Sequence, residues 1–249
     1  MRYLITIAFL ILSACTTIKA PDNFIYKEII KRDFDIVTWQ KITSPYFAVK
    51  IYIEGDGHAF NSYGMPTTDP TPKSEMMREL AFGDNSPNVV YMGRVCQYKK
   101  TPICKEKFWT SARFAPEVLK AHYEAIKQIA QGREVILIGF SGGAQIAGLL
   151  ATTTDLKIKK VITIAGNLDH KMWSDYHKLP SLNESLNLAD YKEKFINVPQ
   201  LHYIGEKDKV VPPILTYRMI ENSSLIKMIR GADHNNGWNK IYDYIKKEN

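Results

Sequence analysis

The feature that most restricts the fold is a nearly uninterrupted apolar run at residues 134–139, Glu-Val-Ile-Leu-Ile-Gly. A run without polar alternation is typical of a strand that is buried on both faces of a sheet. Further apolar runs predict strands at residues 34–39, 47–53, 88–93, 161–164, 201–204 and 225–229. Helical patterns at 116–131, 144–151 and 238–245 lie between or after these strands. This alternation predicts an α/β fold with a mostly parallel sheet and helices on both faces.

Length and composition exclude several classes of protein. With 249 residues, 45% of them hydrophobic and 11% aromatic, the chain is not intrinsically disordered and can fold without a metal or disulfide scaffold. No segment after the extreme N-terminus has the roughly 20 apolar residues of a membrane-spanning helix, which excludes channels and transporters. The net charge is +7, but the lysines are scattered. We therefore expect a solvated basic surface and no nucleic-acid partner, with weak attraction to an anionic membrane or cell wall as the alternative.

The first 15 residues have the pattern of an export signal. A basic start is followed by an apolar run from Tyr3 to Leu12, and then by Leu-Ser-Ala-Cys ending at Cys15. These four residues resemble a bacterial lipobox, which implies cleavage before Cys15 and lipid attachment to it. The alternatives are an ordinary signal peptide or an apolar first strand. We predict a signal at 1–14, a tether at 15–23 and one domain at 24–249, anchored to a bacterial membrane and lying in the periplasm or outside the cell.

The two remaining cysteines, Cys96 and Cys104, are eight positions apart. In an oxidising compartment they can close a short loop as a disulfide, which would stabilise the fold by about 2–3 kcal/mol. Two free thiols or a zinc pair are the alternatives, but no second pair of ligands at zinc spacing accompanies them. An export signal and a disulfide therefore support each other.

Residues 139–143, Gly-Phe-Ser-Gly-Gly, follow the buried strand at 134–139 and open a helix of small residues. A Gly-x-Ser-x-Gly pattern in this setting predicts a sharp, strained turn that exposes the hydroxyl of Ser141 above the edge of the sheet. Serine is a poor nucleophile without a base, so the hypothesis requires a carboxylate and then a histidine further along the chain. Asp208 and His234 follow the strands at 201–204 and 225–229, which places both toward Ser141.

From about residue 48 onward, these motifs make the chain resemble an α/β-hydrolase. The resemblance is carried by the serine motif, by Gly-x-x-Asp-x-x-Val-Pro around Asp208, and by the order serine, acid, histidine. It implies that Ser141 is the nucleophile, that His234 is general base and then acid, and that Asp208 orients the imidazole. It further implies that the backbone N–H groups of Gly142 and Asp56 bind the oxyanion.

The second of these donor loops departs from the commoner pattern of the family. Glu54 occupies the usual histidine position, and Asp56 adds a carboxylate to a site that must hold negative charge. A carboxylate pointing inward would weaken oxyanion stabilisation. One that is turned away, or that binds a substrate amine, would not.

Most of the other polar and aromatic residues are predicted to have structural roles. Glu206 is the alternative candidate for the acid that orients the histidine, in place of Asp208. Asp233 is predicted to form a turn. The following residues are expected to pack or to lie in solvated loops: His122, His202, His170, His177, Trp109, Trp173, Tyr176 and Trp238. For His170 and His177, which lie in the insertion at about 167–197, the alternative is that they line the pocket. No metal-ligand set or phosphate-binding glycine loop is recognisable, so no cofactor is predicted.

The predicted function is that of an exported, lipid-anchored serine esterase acting on a small-molecule ester. A peptidase or amidase with the same residues is one alternative. A catalytically silent surface lipoprotein that binds a ligand or partner is the other, and the unusual donor loop favours it. We expect the loop at 61–72 and an insertion at about 167–197 to lie beside the site.

Overall fold

A computed structural model describes residues 18–247 of the chain. The predicted export signal and Cys15 lie outside the described residues. Within residues 18–247, eight strands form one sheet in the order β1-β2-β4-β3-β5-β6-β7-β8. The strands are β1 (Ile25–Ile29), β2 (Ile36–Ile42), β3 (Val49–Ile53), β4 (Asn88–Met92), β5 (Val135–Phe140), β6 (Ile158–Ile164), β7 (Gln200–Gly205) and β8 (Ile226–Ile229).

The six strands from β4 across to β8 run parallel, whereas β1 pairs antiparallel with β2 and β2 pairs antiparallel with β4. The predicted mostly parallel α/β sheet is therefore confirmed. Parallel neighbours need a crossover connection, and helices supply it.

The α-helices are α1 (Met76–Phe82), α2 (Pro116–Ala130), α3 (Gly142–Thr153), α4 (His170–His177), α5 (Lys192–Phe195), α6 (Pro213–Met219) and α7 (Tyr242–Lys246). Short 3₁₀ helices span Glu106–Trp109, Leu188–Tyr191, Ser223–Leu225 and Trp238–Ile241. Across residues 18–247, none of the helices is long and apolar enough to span a bilayer.

The hydrophobic core lies on both faces of the sheet because the central strands are buried on both sides. All six residues of β5 are buried. Leu137 belongs to the cluster that contains Ile126 of α2 and Leu149 of α3, whereas Ile138 belongs to the cluster on the other face with Trp238. Successive side chains of a strand point to opposite faces, so a run of apolar residues fills both layers.

Several elements differ from the sequence analysis, which did not predict helices α1 and α6. Strand β1 was not predicted, and four of its five residues are exposed, as an edge strand with one neighbour allows. The predicted C-terminal helix begins as the 3₁₀ turn Trp238–Ile241 before it continues as α7. The insertion at about 167–197 contains α4 and a few short helical turns.

The parallel strands all end at one edge of the sheet, and the loops that follow them meet there. The chain places a polar residue just past the end of each of these strands: Asp56, Arg94, Ser141, Asn167, Asp208 and His234, after β3, β4, β5, β6, β7 and β8 respectively. The carboxyl edge of a parallel sheet is where α/β folds place their ligands, so this edge is the candidate functional site.

Candidate active site

Ser141 forms the turn between β5 and α3 in a conformation that non-glycine residues rarely adopt, with φ 49° and ψ −119°. Two backbone hydrogen bonds hold it there. The N–H of Ser141 donates to the carbonyl of Ile164 at 3.0 Å, and the N–H of Asn167 donates to the carbonyl of Ser141 at 3.0 Å. Strain of this kind persists where the surroundings fix the backbone, and it raises the hydroxyl above the sheet edge.

The glycines after Ser141 are required by close contacts with the end of β3. A Cβ atom on Gly143 would lie 2.4 Å from the carbonyl oxygen of Ile53. One on Gly142 would lie 2.1 Å from Oδ1 of Asp56. Only glycine lets the first turn of α3 approach so closely.

The structure brings Ser141, His234 and Asp208 together in a chain of hydrogen bonds. Nε2 of His234 lies 3.1 Å from Oγ of Ser141, and Nδ1 of His234 lies 2.9 Å from Oδ2 of Asp208. The other oxygen of Asp208 accepts hydrogen bonds from the backbone N–H groups of Val210 and Val211, each at 2.8 Å. The carboxylate is thereby fixed in one orientation toward the imidazole.

Two other carboxylates that are close to Asp208 and His234 in the sequence have different hydrogen-bond partners. Glu206 accepts a hydrogen bond from the N–H of Gly231 at 2.8 Å. Asp233 caps its own turn, with Oδ1 accepting from the N–H groups of Asn235 and Asn236. Asp208, not Glu206, therefore contacts the imidazole.

Two aromatic side chains fix the position of His234. Its ring lies 5.0 Å from the ring of Phe140, and its carbonyl accepts a hydrogen bond from Nε1 of Trp238 at 3.2 Å. Trp238 is itself fully buried, in agreement with the packing role predicted for it. The histidine is therefore oriented by contacts on both its ring and its backbone.

The loop after β3 lies against the N-terminus of α3. The N–H of Gly142 is the first of that helix and has no acceptor inside it. The loop is held from behind by Gln97, whose Nε2 donates to the carbonyl of Gly55 at 3.0 Å and whose Oε1 accepts from the N–H of Arg94 at 2.9 Å. Both predicted oxyanion donors, Gly142 and Asp56, thus belong to adjacent, anchored backbone segments.

A disulfide joins Cys96 and Cys104, whose Cα atoms are 5.6 Å apart. The loop that it closes contains Gln97 and also Tyr98, whose N–H donates to Oγ1 of Thr71 at 2.8 Å. The disulfide-closed loop therefore contacts two segments that flank Ser141, the loop after β3 and the loop at 61–72.

The carboxylate of Asp56 is held by two arginines. Nη1 of Arg94 donates to Oδ1 at 2.8 Å, and Nη1 of Arg113 lies 3.4 Å from Oδ2. Burial opposes ionisation of Asp56, but Arg113 and Arg94 outweigh it, and the pKa of Asp56 lies below its usual value. The negative charge beside the site is therefore offset within the protein.

Glu54, at the unusual first position of the loop, is fully buried in a hydrogen-bonded site. Its carboxyl group accepts from the N–H of Gly55 at 2.8 Å and from the hydroxyl of Tyr91 at 2.6 Å. Burial raises the pKa of Glu54, which favours the neutral form. Glu54 thus ties the loop to β4.

Sequence analysis missed Arg94 and Arg113. Arg94 directly follows β4, so a charged residue at the end of a buried strand was a usable signal. No comparable signal marks Arg113, which lies in an irregular segment before α2.

A cavity of about 360 Å³ opens beside Ser141 and His234. Its walls come from the loop after β3, from residues 72–74, from Arg113 and from Trp173 of α4. Trp173 was expected to pack only. It does pack, with Nε1 donating to the carbonyl of Val210 at 2.6 Å, but its ring also forms part of the cavity wall.

The cavity is not lined by His122, His170, His177 or His202, although His177 contacts Val210 and Trp173 of its wall. His122 and His202 are buried, and burial lowers the pKa of both to about 3. His170 is buried against Phe114, and Nε2 of His177 lies 2.9 Å from the carbonyl of Val210. In the described part of the chain, no group of three or more His, Cys, Asp or Glu side chains is placed to hold a metal ion.

The sheet order, the strained serine turn and the cavity above it define an α/β-hydrolase. The chain belongs to the serine hydrolase (FSH1) family, whose sequence profile matches residues 94–232, more than half of the chain. The match includes Ser141 and Asp208 and ends two residues before His234. Comparison with curated proteins finds no match.

Solved structures share the fold at low sequence identity. Est1E from Butyrivibrio proteoclasticus is 14% identical over 90% of this chain and 95% of its own, with a TM-score of 0.58. XC6422 from Xanthomonas campestris, described as an α/β serine hydrolase without a lid, is 14% identical over 91% of each chain, with a TM-score of 0.52. The acylaminoacyl peptidase of Pyrococcus horikoshii is 14% identical over 90% of this chain and 41% of its own, with a TM-score of 0.62.

The lowered pKa of Asp56 predicts how its contribution to stability depends on pH. The unfolded chain takes up this proton at a higher pH than the folded protein, so the contribution is complete above the unfolded pKa and is lost as pH falls through the folded pKa. Asp56→Asn should therefore be less stable than wild type at about pH 6, and the difference should shrink toward about pH 3. Urea denaturation followed by tryptophan fluorescence measures it.

Asp175→Asn, which alters an exposed carboxylate on α4, is the matched control. Its stability relative to wild type should change much less between the same two pH values. A difference between Asp56→Asn and wild type that stays constant with pH would contradict the assigned ion pairs.

Proposed function

We propose that this serine hydrolase cleaves carboxylic esters of small molecules through an acyl-enzyme intermediate. The observation that carries the proposal is the hydrogen-bonded chain from Asp208 through His234 to Ser141, on a strained turn that faces a cavity. In this arrangement a base lies in contact with the nucleophile and is itself oriented by a carboxylate.

The proposed reaction uses each group once in acylation and again in deacylation. Nε2 of His234 accepts the proton of Ser141 as Oγ attacks the acyl carbon, and Asp208 stabilises the imidazolium that forms. The N–H groups of Gly142 and Asp56 donate to the oxyanion, next to the positive end of α3. His234 then protonates the leaving alcohol, and a water molecule activated by the same imidazole hydrolyses the acyl-enzyme.

The size and shape of the site favour a small ester over a polypeptide. The cavity of about 360 Å³ is within the range of small-molecule sites. The insertion at about 167–197 contributes only the eight-residue helix α4, the four-residue helix α5 and a short 3₁₀ turn. The structural neighbour Est1E is described with ferulic acid bound, whereas another neighbour is an acylaminoacyl peptidase. A peptidase or amidase is therefore the second candidate.

We further propose that the protein is exported and anchored to a bacterial membrane by a lipid on Cys15. The motif ending at Cys15 supports this proposal, and so does the disulfide between Cys96 and Cys104, which is stable in an oxidising compartment.

A fluorophosphonate probe should label wild-type protein at Ser141, located by mass spectrometry of the peptides. Ser141→Ala should lose the label and lower kcat for a 4-nitrophenyl ester by about 10⁴-fold or more, because the triad acts as a unit. Ser223→Ala, which alters an exposed serine before β8, should keep the label at Ser141 and the wild-type kcat. Folded wild-type protein that is not labelled would favour the catalytically silent binding lipoprotein.

Matched substrates separate an esterase from an amidase. With 4-nitrophenyl butyrate and butyryl 4-nitroanilide, kcat/KM should be higher for the ester by at least about 100-fold, or about 2.7 kcal/mol. Equal values, or faster turnover of a peptide than of its matched ester, would favour the peptidase.

The anchor is tested by expressing the full chain in a bacterium and separating membranes from soluble protein. Wild type should partition with the membranes and should carry the added mass of the lipid, whereas Cys15→Ser should not. Cys104→Ser is the matched cysteine control and should still fractionate with membranes. Membrane association of Cys15→Ser equal to that of wild type would contradict the anchor.

A further inference from the structure

A second cavity, of about 460 Å³, adjoins the cavity at Ser141. The two share three walls, Phe60, Arg113 and Trp173. The remaining walls of the second cavity come mainly from residues 179–182, Leu-Pro-Ser-Leu, and from residues 110–111. A substrate whose ester lies at Ser141 can therefore extend past Arg113 into a largely apolar space.

Arg113 stands at the junction of the two cavities with its side chain only 4% exposed. Its carbon Cζ lies 5.6 Å from the ring of Trp173 and 5.6 Å from that of Phe114. These two rings hold the guanidinium in place on the shared wall. A planar guanidinium of fixed orientation is suited to binding a carboxylate with two parallel hydrogen bonds.

The carboxylate of Asp56 does not use up the hydrogen-bonding capacity of Arg113. Arg94 makes the closer contact to Asp56, at 2.8 Å, and Arg113 the longer one, at 3.4 Å. The buried Nε of Arg113 has no hydrogen-bond partner among the described residues. Two guanidinium groups thus share the carboxylate of Asp56, and among the described residues Arg113 has no carboxylate of its own.

Two other ionisable side chains line the catalytic cavity near Arg113. Lys73 adds a second cation at the exposed rim. The carboxyl group of Glu54 accepts hydrogen bonds from Gly55 and Tyr91, and burial raises its pKa, which favours the neutral form. A buried, incompletely paired cation is costly unless an anion binds it, and one monoanion would balance the charge.

We infer that the substrates of this site are esters that carry a second, free carboxylate, which Arg113 binds while the apolar part of the molecule occupies the second cavity. Arg113 is then a specificity-determining residue. This inference rests on the proposed function, since it assigns the substrate class of the same site.

Two pairs of esters test the inference on wild-type protein, with each carboxylate compared with the neutral amide of the same size. The first pair, the mono-4-nitrophenyl ester of adipic acid and its 5-carbamoylpentanoate analogue, places the charge on the acyl side. The second pair, 4-carboxyphenyl and 4-carbamoylphenyl butyrate, places it on the alcohol side. At constant ionic strength, kcat/KM for the anionic member of at least one pair should be higher by about 10-fold or more.

Arg113→Gln should bring the ratio for that pair to about 1, and Arg113→Lys should give an intermediate ratio because it keeps the charge without the planar fork. Lys73→Gln is the matched control for general attraction of anions and should keep most of the preference. If Lys73→Gln removes the preference while Arg113→Gln keeps it, the assignment to Arg113 is wrong.

Should Arg113→Gln fail to fold, the wild-type ratios together with Arg113→Lys still decide. Wild-type ratios of 1 or below for both pairs overturn the inference. If wild type is labelled at Ser141 and hydrolyses the neutral esters, such ratios refute the anionic substrate class alone. If wild type is neither labelled nor active, the proposed function itself fails.

Discussion

The site depends on the contact between the first turn of α3 and the end of β3. Gly143 lies so close to the carbonyl of Ile53 that any side chain would collide with it. This contact, with the two backbone hydrogen bonds that join Ser141 to the last residue of β6 and to Asn167 just beyond it, fixes a strained turn between three parallel strands. The strain is maintained by the buried sheet, and the serine hydroxyl therefore stands at a defined place on the sheet edge.

The electrostatics of the site follow from the same packing. Because α3 lies against the loop after β3, the carboxylate of Asp56 lies next to Gly142, in the region proposed to bind the oxyanion. Arg94 comes from the end of the neighbouring strand β4, and Arg113 from the segment before α2. Together the two arginines offset the charge of Asp56, which would otherwise repel a nearby negative charge. The departure from the common donor loop is thus compensated by residues far away in the sequence.

The structure brings together the three residues that the sequence analysis proposed as catalytic, because each one follows a strand of the parallel sheet. Ser141, Asp208 and His234 come directly after β5, β7 and β8, whose apolar runs are visible without a structure, and parallel strands bring their ends together. Arg94 and Arg113 were missed because their role depends on contacts with Asp56, 38 and 57 positions away. Strand β1 was missed because its exposed residues lack the apolar pattern that identified the others.

The residues at the strand ends and the residues of the cavity walls are held in place by different parts of the fold. The walls can therefore change while the sheet stays the same. Ser141 and Asp208 are fixed by backbone hydrogen bonds at the ends of central strands. The walls of the two cavities come mainly from loops and from α4, which pack on the sheet without belonging to it. Loops tolerate substitution and insertion far better than buried strands do. Structures that share only 14% of their residues with this chain can therefore keep its strand framework. In the proposed enzyme, the residues at the strand ends carry out the chemistry, and side chains such as Arg113 and Trp173 on the surrounding loops and helix select the substrate.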